Sequence, residues 1–189
     1  MEETISVLGY HKTRKERASK ICRFKNFPIS KGKRMWLGDG IYFWDTIDNA
    51  KWWNSKVYTD DVILSAQLKC SAKHYVDLDI PANMEAMVGF AESLKCEIEK
   101  VGECDIDFSD QIQARAFFCT CFKKENGILL MRHSFPYTDK EWNVAGFREM
   151  HSRPQYCATN NSIISNIKYL SEATSDNFLV ESGDINEYI

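Results

Sequence analysis

Hydrophobic and polar positions alternate near both ends of the chain and follow a helical period in the middle. The stretch ISVLGYHKT (5–13) predicts a strand that ends at His11, and KERASKICRF (15–24) predicts a short amphipathic helix. Further strands are predicted over residues 40–45, 61–70, 74–79, 128–135, 154–160 and 162–170. The chain therefore begins and ends in strands, which places helices between them.

Three more helices are predicted. The segment IDNAKWWNSKVY follows Thr46 and Asp45, either of which can cap it. Residues 81–102 show a helical rhythm that stops at Gly102, and residues 109–127 run from a Ser109 cap to Gly127. This order predicts an α+β fold rather than a doubly wound parallel sheet, and the chain has no GxGxxG motif.

The length of the chain fits one domain. The chain has 189 residues, which we divide into a domain over 1–170 and an acidic tail over 171–189. Seven cysteines without CxxC spacing, no N-terminal leader and no apolar run of roughly 20 residues predict a reduced, cytoplasmic protein. The histidines and cysteines lack zinc spacing, so we predict no metal.

Charge is distributed unevenly. Residues 1–35 carry ten Lys or Arg against three Glu, whereas residues 171–189 carry five acids and no Lys or Arg. A basic N-terminal region indicates either a phosphate-bearing ligand or simply a solvated helix face. The acidic tail is a candidate surface for a protein partner.

The stretch WLGDGIYFW (36–44) places three aromatic residues after a glycine turn. Strand side chains alternate, so Tyr42 and Trp44 share one face while Ile41 and Phe43 point to the other. One face must be core, and the other can offer a flat ring to a planar ligand. Trp53 is a candidate for the opposing ring, with the small Ala50 leaving room one helical turn earlier. Alternatively, the aromatic residues are all core.

Three segments together resemble the ADP-ribosyltransferase superfamily: GYHKT before a helix, LGDGIYFW before a helix containing AKWW, and the late strand RPQYC. They are most similar to its poly(ADP-ribose) polymerase-like branch, which has a His-Tyr-Glu signature. The resemblance covers roughly residues 5–56 and 150–170. It implies a split β-sheet sandwich with a peripheral helical pair, and NAD bound as substrate in a cleft between two small sheets. Small stand-alone transferases of this kind resemble bacterial or phage toxin and defence effectors.

The resemblance also implies roles for the NAD-binding residues. His11 would hydrogen-bond an NAD ribose hydroxyl, Tyr42 would stack on nicotinamide, and Trp53 would close the other side of the ring. Lys12 stands where the family has glycine, Thr13 follows it as in the family, and Gly40 belongs to the turn before Tyr42. The candidates for contacting the pyrophosphate are Lys12, Arg14, Lys33 and Arg34.

The catalytic and acceptor positions are less regular. Gln155 aligns with the family's catalytic glutamate, and Glu149 is a possible substitute carboxylate. Arg153, Trp142 and Arg148 are candidates for contacting the acceptor. Three functions stay open: a mono-ADP-ribosyltransferase acting on protein, RNA or DNA, an inactive module that binds NAD or ADP-ribose, and an NAD glycohydrolase.

Overall fold

The structure is a computed structural model that describes residues 2–53, 60–102, 106–137 and 151–170. Its strands are β1 Thr4–Arg14, β2 Ile41–Trp44, β3 Asp61–Ser71, β4 Tyr75–Asp77, β5 Leu130–Tyr137, β6 His151–Ala158 and β7 Ile164–Leu170. Its helices are α1 Lys15–Phe24, α2 Ile47–Trp52, α3 Pro81–Val101 and α4 Gln111–Glu125. None of the helices in these ranges is long and apolar enough to cross a membrane.

The strands form one sheet in the order β4-β5-β6-β2-β1-β3-β7. Every neighbouring pair is antiparallel except β4 and β5, which are parallel. The predicted α+β class is therefore confirmed. The helical pair α3 and α4 was also predicted, although α4 is more than peripheral because it buries Phe118, Cys119 and Phe122.

The expected division into two separate sheets is not seen in the hydrogen bonding. β1 pairs with β3 along its whole length, but with β2 it has the single residue pair Tyr10 and Trp44. This pair, which we call the β1–β2 joint, keeps the sheet continuous. The two parts of the sheet, β4-β5-β6-β2 and β1-β3-β7, thus meet at one narrow connection.

Two hydrophobic clusters cover the opposite faces of the sheet. Ile41 and Phe43 are fully buried in the cluster that includes Ile21 of α1, as the alternation in β2 predicted. Tyr42 points the other way and packs at the border of the cluster beneath α3 and α4. The short strand β2 is consequently packed on both faces, which fixes the direction of its side chains.

Several predicted boundaries were wrong. β1 continues past His11 to Arg14, because β3 supplies pairing partners as far as Asp61. The cap of α4 is Asp110, whose Oδ1 accepts from the amides of Ile112 and Gln113, and not Ser109. Of the two caps predicted for α2, Thr46 is the one observed. That helix ends at Trp52, and residues 54–58 of its predicted span lie outside the described residues.

Candidate active site

A pocket of about 220 Å³ opens beside the β1–β2 joint. It is smaller than the roughly 300–1,000 Å³ of pockets that enclose whole drug-sized ligands, so it suits one part of a dinucleotide. Residues predicted from sequence line it together: the central four His11, Tyr42, Trp53 and Gln155, and also Lys12, Thr13 and Arg34. The further lining residues are Arg17, Ser30, Met35, Trp36 and Trp44.

His11 connects β1 to β2 beyond the joint. Its Nδ1 lies 2.8 Å from the carbonyl oxygen of Tyr42. Because a carbonyl only accepts, Nδ1 carries the proton and Nε2 is left as an acceptor in the neutral ring. Burial lowers the pKa of His11; the Tyr42 hydrogen bond opposes this shift and the Arg17 cation adds to it. The pocket thus contains a neutral histidine with one acceptor nitrogen.

The hydroxyl of Tyr42 is fixed by the preceding turn. It donates to the carbonyl oxygen of Gly38 at 2.6 Å and accepts from the amide of Leu37 at 2.9 Å. Burial raises the pKa of Tyr42, so the phenol stays protonated. With its hydroxyl held, Tyr42 can offer a ligand its ring rather than a proton.

Trp53 lines the pocket, but in a different arrangement from the one predicted. Its ring packs against Trp36 at 5.5 Å and Trp44 at 5.6 Å, and it is 36% exposed. It therefore belongs to a tryptophan cluster rather than standing alone opposite Tyr42. Ala50, expected to leave room in the pocket, is fully buried and is not a lining residue among those described.

Gln155 reaches the pocket from β6, where it is paired with Trp44. It is only 4% exposed, yet its Oε1 has no hydrogen-bond partner among the described residues. A buried carbonyl oxygen without a donor costs roughly 1–3 kcal/mol. A ligand hydroxyl in the pocket would satisfy this atom, so Gln155 is a candidate ligand contact.

The charged lining residues are Lys12, Arg17 and Arg34, and the described lining contains no carboxylate. Lys12 is already engaged: its Nζ donates to the carbonyl of Trp53 at 2.7 Å and lies 3.5 Å from Asp61. It therefore anchors the end of α2. Arg17 and Arg34 are the exposed cations at the pocket, and Arg34 Nη2 lies 3.9 Å from Asp110 Oδ2. Arg14 and Lys33 lie outside the pocket lining.

The glycine turn is held from behind by α4. Lys123 is 3% exposed, and its Nζ donates to the carbonyls of Leu37 at 2.6 Å and Asp39 at 2.7 Å. A third contact reaches Cys157 Sγ at 3.0 Å. Gly40 lies so close to β6 that a Cβ there would overlap Cys157. Gly40 consequently packs the turn against the sheet and does not line the pocket.

Of the three residues predicted to contact the acceptor, the structure describes Arg153. Arg153 shares the strand face of Gln155, stacks over Trp52 at 4.0 Å and donates to Asn49 Oδ1 at 2.7 Å. Trp142, Arg148 and Glu149 lie outside the described residues, as does the acidic tail 171–189.

Sequence reasoning missed three contributors to this site. Arg17 lies in the first turn of α1, three residues after the end of β1. Its position near His11 could therefore have been predicted from the sequence. Trp36 lies in a loop and Lys123 lies in α4, 86 residues from the turn it holds. The pattern of the chain gives no signal for such distant contacts.

Comparison with known proteins gives little functional information. No family model matches the chain. It is 24% identical, over 198 aligned positions, to the uncharacterized protein MJ0359 of Methanocaldococcus jannaschii, covering 90% of this chain and 91% of that one. Among the described residues, no group of three or more His, Cys, Asp or Glu is placed to hold a metal ion.

Proposed function

We propose that this chain is an NAD-dependent mono-ADP-ribosyltransferase that modifies a macromolecule. One observation carries the proposal: His11, Tyr42, Trp53 and Gln155, which are far apart in sequence, line a single pocket at the β1–β2 joint. The order of these residues is the one that the family resemblance requires.

Each side chain has a role that its surroundings support. Tyr42 offers its ring to nicotinamide, since its hydroxyl is held by the turn. His11 Nε2 and Gln155 Oε1 are acceptors suited to the hydroxyls of the adjoining ribose. Arg17 and Arg34 favour the negatively charged pyrophosphate.

The reaction breaks the bond between nicotinamide and ribose C1′, through a transition state with positive charge on the ribose. Nicotinamide leaves with the bonding electron pair, and a nucleophile of the acceptor bonds to C1′ and loses its proton to solvent. Gln155 can orient a ribose hydroxyl but carries no charge to stabilise the cation. This favours slow transfer of one unit over chain elongation.

The direct test uses NAD labelled in its adenylate phosphate, incubated with the protein and a cell lysate. We expect one macromolecular fraction to become labelled and Tyr42→Ala to abolish the labelling. Phe24→Ala removes an exposed ring outside the pocket lining and should label as well as the wild type. Absence of labelled protein and nucleic acid under all conditions would contradict the proposal.

A second candidate is a module that binds NAD or ADP-ribose without transfer. It is favoured by the neutral amide of Gln155 and by the lack of a carboxylate in the described pocket lining. Calorimetry and nicotinamide release separate the candidates. Binding without release supports the module, and release without labelled macromolecule indicates an NAD glycohydrolase.

A further inference from the structure

An exposed tryptophan and an arginine lie together beside the pocket. Trp52 is 37% exposed, and the guanidinium of Arg153 lies 4.0 Å from its ring centroid. Arg153 is oriented by Asn49, whose Oδ1 accepts from Nη1 at 2.7 Å. We call Trp52, Trp53 and Arg153 the Trp52–Arg153 surface.

This surface adjoins the pocket residue that would face the reacting ribose. Arg153 precedes Gln155 by two positions on the same face of β6, a Cα separation of about 7 Å. Trp53 belongs to both the surface and the pocket lining. An acceptor held on this surface would therefore lie next to the reacting end of NAD.

The basic residues near the pocket indicate which class of macromolecule is the acceptor. The exposed loop over residues 31–34 contains Lys31, Lys33 and Arg34, and Arg34 lines the pocket together with the exposed Arg17. Arg34 also lies 3.9 Å from Asp110, so this acid offsets part of its charge. Exposed aromatic rings beside a basic groove are the features by which proteins bind single-stranded nucleic acid. A cationic rim attracts a polyanion along its length, whereas it gives no preference for a mixed-charge protein surface.

We infer that the acceptor is single-stranded nucleic acid, with a base stacked at Trp52 and a phosphate near Arg153. This inference rests on the proposed transferase function. An amine or hydroxyl of the nucleic acid bonds to ribose C1′ as nicotinamide departs, and its proton passes to solvent. The products are the ADP-ribosylated strand, nicotinamide and one proton.

Binding can be measured without NAD. The probes are fluorescein-labelled single-stranded DNA and RNA of mixed sequence, about 12 nucleotides long, within the site sizes of such proteins. We expect Trp52→Ala to weaken binding about tenfold and Trp52→Phe to retain most of it, because stacking needs a flat ring. Arg153→Ala should weaken binding and reduce the magnitude of the salt-dependence slope by roughly one.

The chain supplies a matched control pair. Arg23 lies over Phe24 at 5.2 Å at the end of α1, and Phe24 is 65% exposed. Arg23→Ala and Phe24→Ala remove another arginine–aromatic pair, which is more exposed and lies outside the pocket lining, and should leave oligonucleotide affinity unchanged. Equal losses in the control and test variants would overturn the proposed surface, as would no binding to either oligonucleotide at low salt.

The transfer assay then separates the two proposals. Labelled NAD is incubated with the oligonucleotide or with lysate protein. Label on the oligonucleotide supports both proposals, and label on protein alone overturns the nucleic-acid acceptor while keeping the transferase. No labelling and no NAD binding would overturn the transferase itself, even if the oligonucleotide binds.

Discussion

At the scale of single residues, Gln155 is the position on which the proposed chemistry depends most. Its Oε1 is buried and has no donor among the described residues, so it is poised to orient a hydroxyl. An amide and a carboxylate have nearly the same shape but differ by one charge. The exposed cations Arg17 and Arg34 at the pocket would help to keep a carboxylate at this position ionised.

Gln155→Glu should therefore accelerate nicotinamide release. A charge placed where the ribose cation develops is worth about 2.7–4 kcal/mol, so we expect an increase of about a hundredfold to a thousandfold. The measurement is nicotinamide release from saturating NAD, with Gln155→Ala as the variant that lacks both shape and charge. If Gln155→Glu binds NAD normally but releases nicotinamide no faster, Gln155 does not face the reacting ribose.

The second residue-scale prediction concerns His11. Its folded pKa is lowered, so below the unfolded value of about 6.5 the unfolded chain binds more protons than the folded one. Stability attributable to His11 is full above that value and falls as the pH drops, by at most about 1.4 kcal/mol per pH unit.

Urea unfolding between pH 7.5 and about pH 5 measures this effect. His11→Gln replaces the ring by a polar amide that does not titrate, and the stability of this variant should decline less over this interval. Parallel pH profiles for the two proteins would show that His11 does not contribute.

At the scale of elements, α4 controls the shape of the glycine turn. Lys123 donates to the carbonyls of Leu37 and Asp39. The amide of Leu37, in the same turn, donates to the hydroxyl of Tyr42. The pocket ring is thus positioned by a helix that does not itself line the pocket. This arrangement links the packing of α4 to ligand binding.

Lys123→Met should cost both stability and affinity. Each carbonyl left buried without a donor costs about 1–3 kcal/mol in the free energy of unfolding. Lys124→Met alters the neighbouring exposed lysine of the same helix and is the control. Urea unfolding and NAD calorimetry give the two readouts. Equal stability of the two variants would show that the bonds to the turn contribute nothing.

The elements also show what a sequence can predict. The β2 boundaries followed from Gly40 and the β-prone run after it, and its inward residues Ile41 and Phe43 followed from strand alternation. The α4 cap was misplaced by one residue because Ser109 and Asp110 are both good caps. Only the side chain of Asp110 reaches the first amides, which the order of residues does not reveal.

The same limit applies to the site. His11 lies in a clear strand pattern, and glycines mark the turn before Tyr42, so both residues could be predicted from local sequence. The Trp36–Trp53 contact and the Lys123 bonds join distant segments, and no local pattern encodes them. The end of α2 is also held from a distant segment, because Nζ of Lys12 in β1 donates to the carbonyl of Trp53.

At the scale of the whole molecule, the β1–β2 joint is the narrowest connection in the sheet. β5 and β6 pair along their whole length, whereas β1 and β2 share one pair supported by the His11 side chain. A ligand that fills the pocket would contact both parts of the sheet, because His11 belongs to one and Gln155 to the other. Binding should therefore stabilise this joint more than the rest of the fold.

Amide hydrogen exchange followed by mass spectrometry tests this expectation. Without ligand, the peptides covering β2 should exchange faster than those covering β5 and β6, because openings at the joint cost less free energy. Saturating NAD should slow exchange chiefly in β2 and the adjoining end of β1, since a ligand at 100 times its Kd adds about 2.7 kcal/mol to the states that bind it. Tyr42→Ala should remove this protection. Protection spread evenly over the sheet, or confined to α3, would place the NAD site away from the joint.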